Sequence, residues 1–255
     1  EAVILALHGF GDHAVSTFGA AAEYWAEAGV EVRAYDQRGF GRNPDRGRWP
    51  GEERLIADFA AAAAEARADR PEAALVAVGH SMGAGVALAA VGEGRAPEVD
   101  AMILAAPAIS GGGAINPAAR SAAWLVAAIA PDRRWTGEGL VSFQASDDIA
   151  MLRRLAADPL YLGAPSAREI LGLIRVMDRA AAAAPGAAAP TLVLHGARDE
   201  LAPPDAVRAV AETLPNKTAF RLYEEGWHLL FRDLQKARVW EDILAFVRAV
   251  AAARG

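Results

Sequence analysis

The chain has 255 residues, 53% of them hydrophobic and 23% charged, with a formal net charge of -6. That length and composition suit one sizeable buried core, alone or with a smaller lobe. The mildly acidic balance, with its scattered Lys and Arg, presents no nucleic-acid surface. There are no cysteines, which excludes disulfides, thiolate metal sites and cysteine nucleophiles but leaves the redox compartment open.

No segment reaches the roughly 18 apolar residues of a membrane span. The longest candidate, Ala122 to Ala130, stops at Pro131. No signal peptide is visible, so a cytoplasmic location is the default expectation. The chain opens at Glu1, and its first residues already read as a buried strand. The natural start is therefore expected further upstream, with an export or anchoring segment left open.

Ala2 to Leu7 is a short continuous apolar run, as in a strand buried on both faces. A helix is expected from Thr17 to Ala28, stopped by Gly29, and then a strand from Val30 to Tyr35. Asp36 to Gly51 is rich in Gly, Arg and Pro and reads as a loop. Glu52 to Asp69 is helical, with Leu55, Ile56, Phe59 and Ala63 on one face. Ala74 to Gly79 is a strand, Met82 to Val91 a helix and Val99 to Ala105 a strand.

The pattern then changes. Residues 107–190 show no clear strand, but helical stretches near Trp124, from Ile149 to Ala157 and from Ser166 to Ala184. Alternation resumes with a strand from Thr191 and a helix near Pro203 and Pro204. A strand from Thr218 to Tyr223 follows, then a last helix from about Asp233. This order predicts an α/β fold: a mostly parallel sheet with helices on both faces and an inserted helical cap. Residues 1–106 and 191–255 form the expected core, and 107–190 the cap insertion.

Gly79-His80-Ser81-Met82-Gly83 matches G-x-S-x-G between a strand and a helix, the context of a nucleophile elbow. A sharp turn there strains the serine and lifts its Oγ above the sheet. Side chains at Gly79 and Gly83 would strike neighbouring backbone, and Gly85 lets the helix pack closely. The alternative is an ordinary tight turn with an inert serine.

A serine hydroxyl needs a neighbouring base. Of the five histidines, His80 should point into the fold, and His8 and His195 end strands in structural roles. His13 lies in a loop, either solvated or at the mouth of the site. His228 follows the last strand, where a loop reaches over the sheet's C-terminal edge, and is the expected base. The acid that orients it should follow a strand between Ser81 and His228. Asp199 fits, Glu200 competes by a one-residue register shift, and Asp205 suits the following helix. Oxyanion donors are expected from the backbone N–H groups of Met82 and Phe10. His8, Asp12 and His13 match no well-defined zinc spacing, so no metal is expected.

Four motifs then stand in order: Leu7-His8-Gly9-Phe10-Gly11-Asp12-His13, Tyr35-Asp36-Gln37-Arg38-Gly39-Phe40-Gly41, the Ser81 pentapeptide, and Leu194-His195-Gly196-Ala197-Arg198-Asp199. Together they resemble the monoacylglycerol lipase and lysophospholipase branch of the α/β-hydrolase superfamily across essentially the whole chain. Asp158-Pro159-Leu160 is also similar to that branch. The chain departs from the branch at Trp227, before the expected base, and at Arg42 and Asn43. The resemblance implies Ser81, Asp199 and His228 as a triad, Phe10 and Met82 as oxyanion donors, and no cofactor.

The expected partner is a small-molecule acyl ester, with Trp124, Leu125, Val126 and Ile129 as candidate acyl-binding residues that could equally pack the cap on the core. Peripheral membrane contact through the cap is a further expectation. Two other readings stand beside this one. The same triad would serve a peptidase or thioesterase, and the scaffold can also carry a non-catalytic binding protein. Serine at the nucleophile position disfavours dehalogenases and epoxide hydrolases.

Overall fold

A computed structural model describes residues 1–110, 117–134, 143–216 and 218–254. Six strands form one sheet: β1 (Ala2–Leu7), β2 (Glu31–Ala34), β3 (Ala74–His80), β4 (Ala101–Ala105), β5 (Thr191–Gly196) and β6 (Thr218–Tyr223). Their spatial order is β2-β1-β3-β4-β5-β6, and every pairing is parallel. Eight α-helices are found among the described residues. They are α1 (Ala14–Glu27), α2 (Glu52–Asp69), α3 (Met82–Gly92), α4 (Pro117–Ile129), α5 (Ile149–Ala156), α6 (Ala167–Ala183), α7 (Pro204–Ala211) and α8 (Lys236–Arg254).

The period of two along the strands sorts the core into layers. Val3, Leu5 and Leu7 of β1, with Leu75 and Ala77 of β3, pack against α2 and α3. Ile4, Ala6, Val76 and Val78 point the other way, into Phe18 and Trp25 of α1 and Val239, Ile243 and Val247 of α8. Both faces are thus covered, which is why these strands read as unbroken apolar runs. The four strands β1, β3, β4 and β5 are buried, whereas β2 at one edge and β6 at the other are partly exposed.

The chain runs from β1 out to β2, then returns past β1 to β3. The connections after β1 and β3 therefore leave in opposite directions, opening a crevice at the strands' C-terminal ends. Ligands bind at such a switch point in open parallel sheets. The Gly9–His13 turn and Ser81 leave the sheet on its two sides.

Several element ends differ from the sequence reading. Helix α1 starts at Ala14 rather than Thr17, because the buried His13 caps it: the Ser16 N–H donates to His13 Nδ1 at 3.3 Å. Helix α8 starts at Lys236 rather than near Asp233, because Leu229 to Gln235 form turns that serve the loop before it. Between β4 and β5 the described residues form helices joined by turns and loops, and no strand is among them. The second half of α6 contributes Val176 and Ala180 to the same apolar cluster as α2 and α3. No helix among the described residues is long and apolar enough to cross a membrane.

Candidate active site

Ser81 joins β3 to α3 with φ 51° and ψ -115°. A non-glycine residue held at positive φ costs on the order of 1–3 kcal/mol, so its surroundings must impose it. They do so on both sides: Ser81 N–H donates to Ala105 O at 3.0 Å, and Ser81 O accepts from Ala108 N–H at 3.0 Å. A Cβ on Gly79 would overlap the backbone of Ala84, and one on Gly83 would overlap the carbonyl oxygens of Leu7 and His8. The turn closes this tightly only with glycine at both positions.

His228 lies in the loop after β6 and Asp199 in the loop after β5. Asp199 Oδ2 is 2.8 Å from His228 Nδ1, and His228 Nε2 is 3.0 Å from Ser81 Oγ. Asp199 Oδ1 accepts from the N–H groups of Leu201 at 2.8 Å and Ala202 at 3.0 Å. Burial works to raise the Asp199 pKa, but the charge and hydrogen bond of His228 outweigh it, with help from His195 and the Ala202 N–H. The carboxyl stays below its usual range. An ionised Asp199 requires the proton of neutral His228 on Nδ1. That leaves Nε2 free to accept from the Ser81 hydroxyl.

The other sequence candidates take distinct places. Glu200 does not face His228; its Oε2 accepts the Gln144 N–H at 2.8 Å. Asp205 lies in the first turn of α7. His8 is fully buried, with Nδ1 donating to Gly9 O at 2.8 Å and Nε2 accepting the Gln37 N–H at 2.8 Å. Burial lowers its pKa, so it is a neutral tie between two loops. His195 Nε2 donates to Ala202 O at 2.9 Å. His80 points inward, and its Nε2 donates to the carbonyl oxygen of His228 at 2.9 Å. Burial, then the neighbouring His228, drives its pKa down to about 3, so its ring is neutral.

Gly9 and Phe10 form the turn after β1. A Cβ on Gly9 would lie 3.3 Å from the Ser81 Cβ, so this turn passes directly beside the serine. Phe10 packs edge-on against Phe40, with ring centroids 5.3 Å apart. Met82 is the first residue of α3, where helix N–H groups lack intrahelical acceptors and the helix dipole is positive. Trp124, Leu125 and Ile129 stand 59, 54 and 75% exposed on α4. Among the described residues no cluster of His, Asp and Glu could hold a metal.

Sequence reasoning missed the clamps around these loops. Arg232, in the loop after β6, pairs with Asp12 in the loop after β1 and donates to Ser16 Oγ at 2.8 Å. Burial works to raise the Asp12 pKa, but Arg232 and the His13 N–H hold it below the ordinary value. His13 Nε2 lies 3.0 Å from Asp158, and the Leu162 N–H donates to Gly11 O at 2.7 Å. A charge next to each glycine-rich or histidine-bearing loop was the available signal, but spacing alone names no partner across 220 residues.

A parallel sheet with Ser, His and Asp hydrogen-bonded in line over its C-terminal edge defines an enzyme of the α/β-hydrolase class. Residues 1–235 match the family described as serine aminopeptidase, S33, and the chain belongs to that family. It is 28% identical over 251 residues to a monoacylglycerol lipase of Mycolicibacterium smegmatis, covering 96% of this chain and 87% of that protein. A monoacylglycerol lipase structure from Paleococcus ferrophilus superposes with a TM-score of 0.83 at 22% identity, covering 97% of this chain and 94% of that one. A soluble variant of monoglyceride lipase from Saccharomyces cerevisiae also gives 0.83, at 20% identity, covering 98% and 87% of the two chains.

Proposed function

We propose that this chain is a serine ester hydrolase that cleaves lipid-like carboxylic esters, such as monoacylglycerols or lysophospholipids, through an acyl-enzyme on Ser81. The observation that carries the reading is the line of two hydrogen bonds, 3.0 and 2.8 Å, from Ser81 through His228 to Asp199. His228 Nε2 takes the hydroxyl proton as Oγ attacks the acyl carbon. The tetrahedral oxyanion accepts hydrogen bonds from the N–H groups of Phe10 and Met82. His228 returns the proton to the departing alcohol, then activates the water that releases the fatty acid. Asp199 keeps the ring oriented and stabilises its protonated form.

The names of the relatives favour an acylglycerol over a peptide, although the family's description is that of an aminopeptidase. Residues 107–190 act in this reading as a cap. Trp124, Leu125 and Ile129, exposed on α4, would meet the acyl chain or the lipid surface that delivers it. The test is a chain-length series of monoacylglycerols, lysophospholipids and nitrophenyl esters, run beside amino-acid nitroanilides. Acyl esters should be turned over, and Ser81→Ala should abolish both turnover and fluorophosphonate labelling. Turnover that persists in Ser81→Ala would overturn the assignment, and preference for the anilides would replace the lipase reading with a peptidase.

A further inference from the structure

His228 is held by its backbone as well as by its ring. Its carbonyl oxygen accepts from His80, and the N–H of the preceding residue, Trp227, donates to Asp233 Oδ2 at 2.8 Å. The next N–H, of Leu229, donates to Ala145 O at 2.9 Å. Asp233 therefore closes its own loop around the base from within one turn of chain. It is fully buried, and besides the Trp227 N–H it has the Ser146 hydroxyl beside it.

The surroundings of this carboxyl are unfavourable to its charge. Burial pushes its pKa up to about 6, and the Asp147 carboxylate acts in the same direction. The Ser146 hydroxyl, the Trp227 N–H and His228 oppose them. From the segment before α5, Ser146 and Asp147 face the group; from its own loop, His228, the Trp227 N–H and Gln235, whose Nε2 is 3.5 Å from Oδ2. Arg232 is engaged by Asp12, and Lys236 lies 3.9 Å from Asp148. At neutral pH Asp233 is thus an anion in a place that penalises anions. An asparagine would offer Trp227 the same acceptor without that penalty, so the charge itself calls for a use. His228 is the group in this loop that gains positive charge during the proposed reaction.

We propose that Asp233 is a positioning residue for the base: it fixes the loop of His228 through the Trp227 N–H, and its negative charge supports His228 in the protonated form. This rests on the ester-hydrolase reading above. It adds a second carboxylate, acting through backbone and field, to the one that touches the ring.

The experiment compares the full chain with Asp233→Asn and Asp233→Ala on a nitrophenyl ester, with rates normalised to fluorophosphonate-labelled sites. Asp233→Asn should lower kcat about tenfold with KM unchanged and move the acidic limb of kcat/KM down by about one pH unit, while its Tm at pH 7 does not fall. Asp233→Ala, which also removes the acceptor of Trp227 N–H, should lower kcat further. A merely structural carboxylate would lower Tm and leave kcat per labelled site and the pH midpoint unchanged. That pattern, or an Asp233→Asn matching the unmodified protein, overturns the inference. Should the unmodified chain itself fail to turn over any ester, the hydrolase reading falls and takes this inference with it.

Discussion

Replacing Asp199 with Asn tests the site with almost no change in shape. Asp199 Oδ1 accepts two backbone N–H groups, from Leu201 and Ala202, at 2.8 and 3.0 Å. The asparagine oxygen must stay on those donors, because turning the amide would set its NH2 against two N–H groups. The NH2 then faces His228 Nδ1, which lies 2.8 Å from the atom replaced. An NH2 can only donate there, so Nδ1 must accept and the ring proton moves to Nε2. His228 then presents an N–H to the Ser81 hydroxyl, 3.0 Å away, and cannot take its proton. The loss expected for such a wrong tautomer is about 10⁴-fold in kcat, or about 5.5 kcal/mol of barrier. Steady-state hydrolysis of a nitrophenyl ester, with protein shown folded by its near-ultraviolet spectrum, measures it. Glu200→Gln is the control, since the glutamine keeps an oxygen to accept the Gln144 N–H, and its rate should stay within about twofold. If Asp199→Asn keeps more than a tenth of the activity, or Glu200→Gln is the damaging change, the assignment of the acid is wrong.

Other outcomes follow from the same contacts. Gly83→Ala places a methyl group in the Leu7 and His8 carbonyl oxygens, and urea unfolding should show a loss of about 2 kcal/mol or more. Arg232→Met leaves Asp12 buried without its cation, so stability at pH 7 should fall by about 3 kcal/mol, much of it regained by adding Asp12→Asn. Asp233 titrates near 6 in the folded chain against an ordinary 3.8, so the folded state binds the proton more tightly. Its contribution to stability is therefore complete at low pH and declines as pH rises from about 4 to 6. Denaturation at pH 4 and pH 7 should show the stability difference between the unmodified protein and Asp233→Asn changing by about 3 kcal/mol in favour of the variant. A difference that does not vary with pH would show that Asp233 has the same pKa in the folded and unfolded chains, so that burial does not raise it.

The parts of the fold set by local chemistry were legible in the sequence. β1, α2 and β6 fall where apolar runs, helical periodicity and turn residues place them. The order β2-β1-β3 followed from strand–helix alternation only as a class of topology; the pairing itself depends on contacts between distant segments. The meeting of Ser81, Asp199 and His228 at one end of the sheet was legible because each follows a strand. His13 was not, since a capping histidine looks like any loop histidine until the helix behind it is placed. The loop at Asp233 was read as helix for a related reason: its carboxylate is spent on the Trp227 N–H, a partner outside any helical spacing. Trp124, Leu125 and Ile129 carry apolar character that a sequence cannot assign to pocket or to surface, because either environment rewards it.

The five residues from Gln144 to Asp148 have a consequence for changing what the enzyme accepts. Their backbone and side chains reach Glu200 beside the expected acid, Leu229 beside the expected base, Asp233, and the Leu234 N–H, which donates to Asp147 Oδ1 at 2.9 Å. The stretch enters α5 directly, with Asp148 as its N-cap. The proposed cap is therefore not an interchangeable module seated on an indifferent platform. A graft that replaces it wholesale would unfasten the two loops that carry the proposed acid and base. A recombinant with a new substrate range should keep Gln144 to Asp148 from this chain and change only what lies between its own chosen helices.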